Sequence, residues 1–145
     1  MTKRALLACA LALAIPAAAL ADPPGRVTIV AVFNPITYGE TAYVNGQLVA
    51  DNQGGQLVAL EQSPPPYTDW TPVLQTTSDA AGYYSFKLLH PSQTMQYRTN
   101  SQGTPSERTV QVDVAPRIKL AASAAGKTSV RFSGTFAPAL DGQSV

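Results

Sequence analysis

The sequence has few of the side chains from which redox sites, metal sites and nucleophiles are built. Among 145 residues it contains one cysteine, Cys9, and one histidine, His90. Cys9 lies in an apolar N-terminal segment, so a chain that loses this segment keeps no thiol for a disulfide, a thiolate metal site or a nucleophile. Such a chain must be held together by its hydrophobic core alone.

Charge is also scarce, and it is scattered. Charged residues make up 13% of the chain, and the formal net charge is +1. Without Lys3 and Arg4, eight basic residues (10 minus 2) face nine acidic ones, which gives −1. A nucleic-acid or anionic-membrane surface needs a basic patch, so we expect no nucleic-acid partner. Acidic residues lack paired or calcium-loop spacing, and we predict no metal, no cofactor and no enzyme activity.

Two polar residues, His90 and Asp79, are candidates for chemistry. His90 precedes Pro91 in a turn, and no Ser–His–Asp order surrounds it, so we interpret it as a surface turn residue rather than a base. Asp79 begins a turn, where capping of the backbone is favoured. The alternative for Asp79 is a calcium ligand beside a neighbouring loop.

The first residues have the pattern of a secretory signal peptide. Lys3 and Arg4 precede an apolar run over 5–19, and Ala19-Leu20-Ala21 is a small-x-small cleavage signal. This pattern predicts a signal over 1–21 and a mature chain that starts at Asp22. We therefore expect a secreted or cell-surface protein with no membrane span after cleavage.

Two alternatives compete with a cleaved signal. A transmembrane helix is disfavoured because the run is short for a bilayer and contains Pro16. A lipoprotein signal at Cys9 is disfavoured because only four apolar residues would precede the cysteine.

After a leader over 22–26, the chain consists of short apolar segments separated by turn residues. Their spacing is typical of a β-sandwich, and no window shows sustained helical periodicity. Because apolar and polar residues alternate along each strand, each sheet has one solvent-exposed face and one apolar face. Two sheets must therefore pack with their apolar faces together. The residues predicted to face inward are Ala42, Val44, Gly46, Leu48, Val58, Leu60, Tyr84, Phe86, Met95, Tyr97, Thr99, Val110, Val112 and Val114. We predict an all-β, Ig-like antiparallel β-sandwich of about seven strands over 27–115.

The pattern of residues 76–86 predicts two strands joined by a tight turn. Asp79 at the first turn position and Gly82 at the fourth are typical of a type I turn. After the turn, Tyr84 and Phe86 alternate with polar residues. We predict a β-hairpin with one buried face.

The C-terminal segment repeats the start of the predicted domain. The matching segments are 117–121 with 26–30, 130–136 with 42–48, and 142–145 with 55–58. Their offsets are 91 (117 minus 26), 88 (134 minus 46) and 87 (142 minus 55). We predict that 116–145 is the truncated start of a second Ig-like domain; chance similarity among β-rich segments is the alternative. Three strands cannot close a sandwich core, so we expect a fragment of a longer array, a poorly ordered tail or a tail that pairs with another molecule.

The first copy resembles the Ig-like β-sandwich repeats of secreted and surface bacterial proteins, actinobacterial ones especially. The resemblance runs through 27–29, 37–39, 55–61, Trp70, 76–86, 96–98 and 110–114. Residues 76–86 are also similar to carboxypeptidase-regulatory-like and transthyretin-like modules. The resemblance implies a spacer, stalk or binding module without shared catalytic residues. Tyr97 resembles a tyrosine-corner residue, although the cysteine pair of antibody domains is missing.

Tyr67 and Trp70, next to the stiff run Pro64-Pro65-Pro66, form the one candidate recognition patch. Aromatic side chains on a rigid loop can stack on sugars or contact a protein. The alternative is that Trp70 packs onto the sandwich core.

The function favoured by the sequence is that of a secreted or cell-surface, non-catalytic Ig-like module. It would act as a spacer or adhesion element, or bind a protein or surface glycan through loops or an exposed edge. One alternative is a carbohydrate- or cell-wall-binding module that uses Trp70 and Tyr67. Another is an accessory domain of a larger secreted enzyme. If the chain is a fragment, we expect neighbouring Ig-like domains as partners.

Overall fold

The computed structural model describes residues 25–138, and all regular secondary structure in this range is β. The strands are β1 Arg26–Val32, β2 Ile36–Thr37, β3 Ala42–Val49, β4 Leu57–Ser63, β5 Thr71–Thr77, β6 Tyr83–Leu88, β7 Met95–Ser101, β8 Thr104–Pro105, β9 Val110–Val112, β10 Val114–Ala115, β11 Arg117–Ala124 and β12 Val130–Ala137. The all-β prediction is confirmed. The predicted signal over 1–21, leader residues 22–24 and the repeat segment 142–145 lie outside the described residues.

Two antiparallel sheets face each other and form a β-sandwich. The first has the strand order β1-β3-β6. The second has the order β5-β4-β7, and β8 and β9 both pair with β7. A short parallel pair between β2 and β10 sets Val114 opposite Ile36. In residues 25–138 there is no helix of a length and hydrophobicity that would cross a membrane.

The core lies between the sheets and draws on both. Because strand side chains alternate between faces, the sequence pattern identifies most of it correctly. The predicted inward residues that are buried are Ala42, Val44, Leu48, Val58, Leu60, Tyr84, Phe86, Tyr97, Thr99 and Val112. Met95, Val110 and Val114 are half-buried against this core.

The predicted hairpin over 76–86 is wrong in its pairing, although its turn and strands exist. The Gly82 amide donates to the Asp79 carbonyl at 2.9 Å, which closes the turn. However, β5 pairs with β4 and β6 pairs with β3. The turn therefore carries the chain from the second sheet to the first. The local sequence specifies the reversal, whereas the hydrogen-bond partners of each arm come from distant segments.

The arm before the turn also lacks the expected buried face. β5 lies at the edge of the second sheet, and Val73 and Leu74 are exposed.

β11 and β12 form a separate antiparallel hairpin after the sandwich. Their register repeats that of β1 and β3: Ile29 is opposite Gly46, and Leu120 is opposite Gly134. These pairs are related by the offsets of 91 (120 minus 29) and 88 (134 minus 46) found in the sequence. The register is what a second copy requires; the domain boundary at 115/116 stays a prediction.

Candidate functional site

Trp70 lies on the outer face of the second sheet, in the connector that leads into β5. Its ring stacks under Arg98, whose Cζ is 4.5 Å from the ring centroid. Arg98 Nε in turn lies 2.5 Å from Glu61 Oε2. The Arg98 and Glu61 side chains are 30% and 15% exposed, so the guanidinium is largely desolvated between a carboxylate and an aromatic face. This arrangement favours both the cation–π contact and the ion pair.

Trp70 is therefore half-buried, yet it is not part of the core. The predicted alternative placed it on the core, whereas it packs on an outward-facing arginine. Because Arg98 alternates along β7 with the buried residues Tyr97 and Thr99, it must face outward.

Tyr67 is also half-buried and belongs to the same connector. Its backbone has a positive φ of 67°, and its amide donates to the Pro64 carbonyl at 2.7 Å. No ring contact or hydrogen bond joins the Tyr67 and Trp70 side chains within residues 25–138. The ligand patch at Tyr67 and Trp70 stays a prediction.

Tyr84 is the best-bonded aromatic residue of the core. Its hydroxyl lies 2.7 Å from Thr99 Oγ1 of the opposite sheet, and it also donates to the Thr28 carbonyl. Burial raises the pKa of Tyr84, and the hydrogen bond with Thr99 partly opposes this effect. Tyr84 thus ties β6 to both β1 and β7.

Gly46 makes this position of Tyr84 possible. Gly46 is directly opposite Tyr84 across β3 and β6. A Cβ at Gly46 would overlap the Tyr84 hydroxyl and the Thr28 carbonyl oxygen. We call the space over Gly46 the tyrosine seat.

Tyr97, which resembles a tyrosine-corner residue, is buried in the core. Burial raises its pKa. Its hydroxyl makes no hydrogen bond to the backbone of the described chain, so the bond that defines a tyrosine corner is missing.

The two polar candidates occupy turns. Asp79 Oδ1 accepts hydrogen bonds from the Ala81 and Tyr83 amides, both at 2.9 Å, which confirms the capping role. His90 is exposed, and its Nδ1 donates to the Gly39 carbonyl at 2.6 Å. Among residues 25–138, no three His, Cys, Asp or Glu side chains are grouped as a metal site would require.

The β11–β12 hairpin presents one wholly apolar face, which we call the hairpin face. It consists of Ile118, Leu120, Ala122, Ala124, Val130, Phe132, Gly134 and Phe136, because these residues pair with one another across the two strands. Leu120 is 78% exposed and Phe132 is 75% exposed. The opposite face carries Arg117, Lys119, Ser123, Arg131, Ser133 and Thr135. Exposed apolar side chains concentrated in this way are typical of interaction surfaces.

An apolar groove of about 700 Å³ continues the hairpin face toward the sandwich. Its lining combines the segment 92–94 and the linker residues Val114 and Pro116 with part of the hairpin face. Ile118, Leu120, Gly134 and Phe136 all contribute. Among residues 25–138, no charged side chain lines it, so this part of the groove suits apolar side chains rather than a charged metabolite.

Neither the protein-family models nor the curated proteins contain a match to this chain. The class that the fold defines is an antiparallel β-sandwich followed by a β-hairpin with an exposed apolar face. A functional assignment must therefore rest on the surfaces themselves.

The sequence interpretation included a tail that pairs with another molecule among its alternatives, but it did not identify the residues of the hairpin face or the close approach of Tyr84 to Gly46. The alternation of apolar residues in 117–124 and 130–137 was a usable signal for the hairpin face. A glycine at an inward position of a strand, as at Gly46, was the available signal for the seat, because such a glycine often marks a close approach.

Proposed function

We propose that this protein is a secreted or cell-surface, non-catalytic β-sandwich module that binds another protein through the hairpin face. In this role the sandwich is the scaffold, and β11–β12 is the contact element. The resemblance to Ig-like repeats of bacterial surface proteins supports the location and the modular role.

One observation carries the proposal: eight apolar residues lie on one side of a two-stranded hairpin, and no strand of the described chain covers them. An isolated two-stranded hairpin is at best marginally stable in water, and packing against another surface stabilises it. A partner that buries Leu120 and Phe132 would supply this missing stabilisation.

The test is binding of the purified chain, from Asp22 onward, to bacterial cell-envelope fragments. Phe132→Ser should weaken binding about tenfold or more, because a large exposed aromatic residue would be lost from the centre of the contact. The matched control is Ser133→Ala, since Ser133 is the neighbouring residue on the polar face. Binding that survives in Phe132→Ser at the wild-type level contradicts the proposal.

Binding to glycan is the second candidate, and the Trp70–Arg98 stack favours it. A half-buried tryptophan fixed by a desolvated guanidinium is a rigid aromatic surface of the kind that stacks on sugars. Protease treatment of the envelope separates the candidates. If the protein still binds protease-treated peptidoglycan and Trp70→Ala abolishes this binding, the protein binds glycan and the protein-binding proposal is wrong.

A further inference from the structure

The first sandwich shows which element covers the equivalent of the hairpin face. There, β3 has β1 on one side and β6 on the other. β6 sets Tyr84 opposite Gly46, and the Tyr84 hydroxyl donates to the Thr28 carbonyl after passing over the glycine. The glycine, the tyrosine and the carbonyl form one interlocking unit across three strands.

The hairpin contains two of these three parts in the same register. Gly134 is opposite Leu120, as Gly46 is opposite Ile29. A Cβ at Gly134 would lie 3.0 Å from the Lys119 carbonyl oxygen and 2.9 Å from Leu120 Cδ2. Lys119 corresponds to Thr28 at the offset of 91 (119 minus 28), so the glycine and the carbonyl acceptor are both present.

The third part, the tyrosine, has no equivalent on the hairpin. β12 pairs with β11 alone in the described part of the chain, so the edge that corresponds to the β6 side of β3 is unpaired. Gly134 also lines the apolar groove of about 700 Å³, together with Ile118, Leu120 and Phe136. The space that Tyr84 fills in the sandwich is here approached by Leu120 Cδ2, the end of an exposed side chain that a bound tyrosine would displace.

We infer that the unpaired edge of β12 binds an extended β-strand with the chemistry of β6, antiparallel to β12 and with a tyrosine over Gly134. This inference rests on the proposed function and names the chemistry of its partner. The register of β3 and β6 sets Tyr84, Phe86 and Leu88 opposite Gly46, Val44 and Ala42.

Adding the offset of 88 to the β3 residues gives the register that we expect on β12. The tyrosine of the bound strand is then opposite Gly134, and its next two inward residues are opposite Phe132 and Val130. The tyrosine hydroxyl donates to the Lys119 carbonyl, as Tyr84 donates to Thr28. Backbone hydrogen bonds along the edge of β12 supply affinity, and the seat at Gly134 supplies selectivity for an aromatic residue without a branched Cβ.

The experiment adds a synthetic peptide with the sequence of residues 79–90 to the chain from Asp22 onward. Amide hydrogen exchange, read by mass spectrometry, reports which segment the peptide protects. We expect exchange in 130–137 to slow about tenfold or more at saturation, because new edge hydrogen bonds must open before exchange.

Two matched peptides test whether a tyrosine binds over Gly134, without altering the protein. The peptide with Tyr84→Ala should bind about tenfold more weakly, since it lacks the side chain that fills the seat. The peptide with Tyr83→Ala should bind like the parent peptide, because Tyr83 points to the solvent face of β6.

On the protein side, Gly134→Val should abolish the protection of 130–137 by the peptide, whereas Ser133→Val on the opposite face should retain it.

Several outcomes overturn the inference. One is equal binding of the Tyr84→Ala and Tyr83→Ala peptides, and another is an absence of protection in 130–137. A third is protection of 130–137 without peptide that increases with protein concentration, while the molecular mass of the protein in solution doubles. The last would show that a second copy covers the hairpin face. If envelope binding still depends on Phe132 while the peptide fails, only the strand chemistry is wrong; if envelope binding fails as well, the proposed function is wrong.

Discussion

At the scale of single residues, Gly46 determines how β1, β3 and β6 fit together. It is the one position where the Tyr84 ring can cross β3 toward the Thr28 carbonyl, because any Cβ there meets both oxygens. The Tyr84 hydroxyl can therefore donate a hydrogen bond to the Thr28 carbonyl of β1, and it also contacts Thr99 of the opposite sheet. A buried hydroxyl needs such partners, since leaving one unpaired costs about 1–3 kcal/mol.

Gly46→Ala should lower the free energy of unfolding by about 2–3 kcal/mol, because the added methyl group displaces Tyr84 and breaks its hydrogen bond. Urea unfolding measures the change. Gly25→Ala is the control, since a Cβ at Gly25 would lie 3.5 Å from the Val49 carbonyl, an ordinary contact; its effect should stay within about 0.5 kcal/mol. Equal stabilities of the two variants would disprove the role of the seat.

The two buried tyrosines predict alkaline instability. Burial raises the pKa of Tyr84 and of Tyr97 above the ordinary value of 10.0. Above pH 10.0 the unfolded chain loses these protons while the folded chain retains them, so the free energy of unfolding falls as the pH rises. Below that pH both states keep the protons and the contribution is constant.

Ultraviolet absorbance of phenolate during an alkaline titration, with circular dichroism in parallel, checks this. We expect part of the tyrosine signal to appear together with the loss of β-structure. If no part of the signal coincides with unfolding, burial does not control the two pKa values.

At the scale of elements, the turn between β5 and β6 connects the two sheets instead of closing a hairpin. It is stabilised locally, since Asp79 caps the Ala81 and Tyr83 amides. It is also anchored in the core, where buried Ser78 donates to the Gln53 carbonyl at 2.6 Å and accepts from the Gln56 amide at 3.0 Å. These contacts fix the point at which the chain leaves one sheet for the other.

Asp79→Ala should therefore lower the free energy of unfolding by about 1 kcal/mol, because two amides lose their acceptor. Thermal or urea unfolding measures it. Asp51→Ala removes a carboxylate from another exposed loop and serves as the control. A loss as large in Asp51→Ala would mean that charge, rather than capping, accounts for the effect.

At the scale of the whole molecule, the sandwich and the hairpin should differ in stability. The sandwich buries a core from two sheets, whereas the hairpin has one sheet of two strands and an exposed apolar face. Local opening is easiest where few apolar contacts are buried. The hairpin is thus the part of the described chain that should open most easily.

Limited proteolysis should therefore cut within 117–137 at least about tenfold faster than within 26–115. Mass spectrometry should show a first stable product that ends near Pro116. Addition of the 79–90 peptide should slow the cut if the hairpin binds it. A hairpin that resists cleavage as well as the sandwich does would show that it is stable without a partner.

The sequence by itself determined which side of each strand is apolar, since alternation requires only local geometry. It identified the buried faces of β3, β4, β6 and β7, the turn at Asp79, and the segments that became β11 and β12. The tertiary structure alone decided that β6 pairs with β3 rather than β5, that Trp70 stacks on Arg98, and that Tyr84 occupies the space over Gly46. These outcomes depend on which distant surfaces bury the most apolar area and satisfy the most hydrogen bonds together, and no local pattern encodes that comparison.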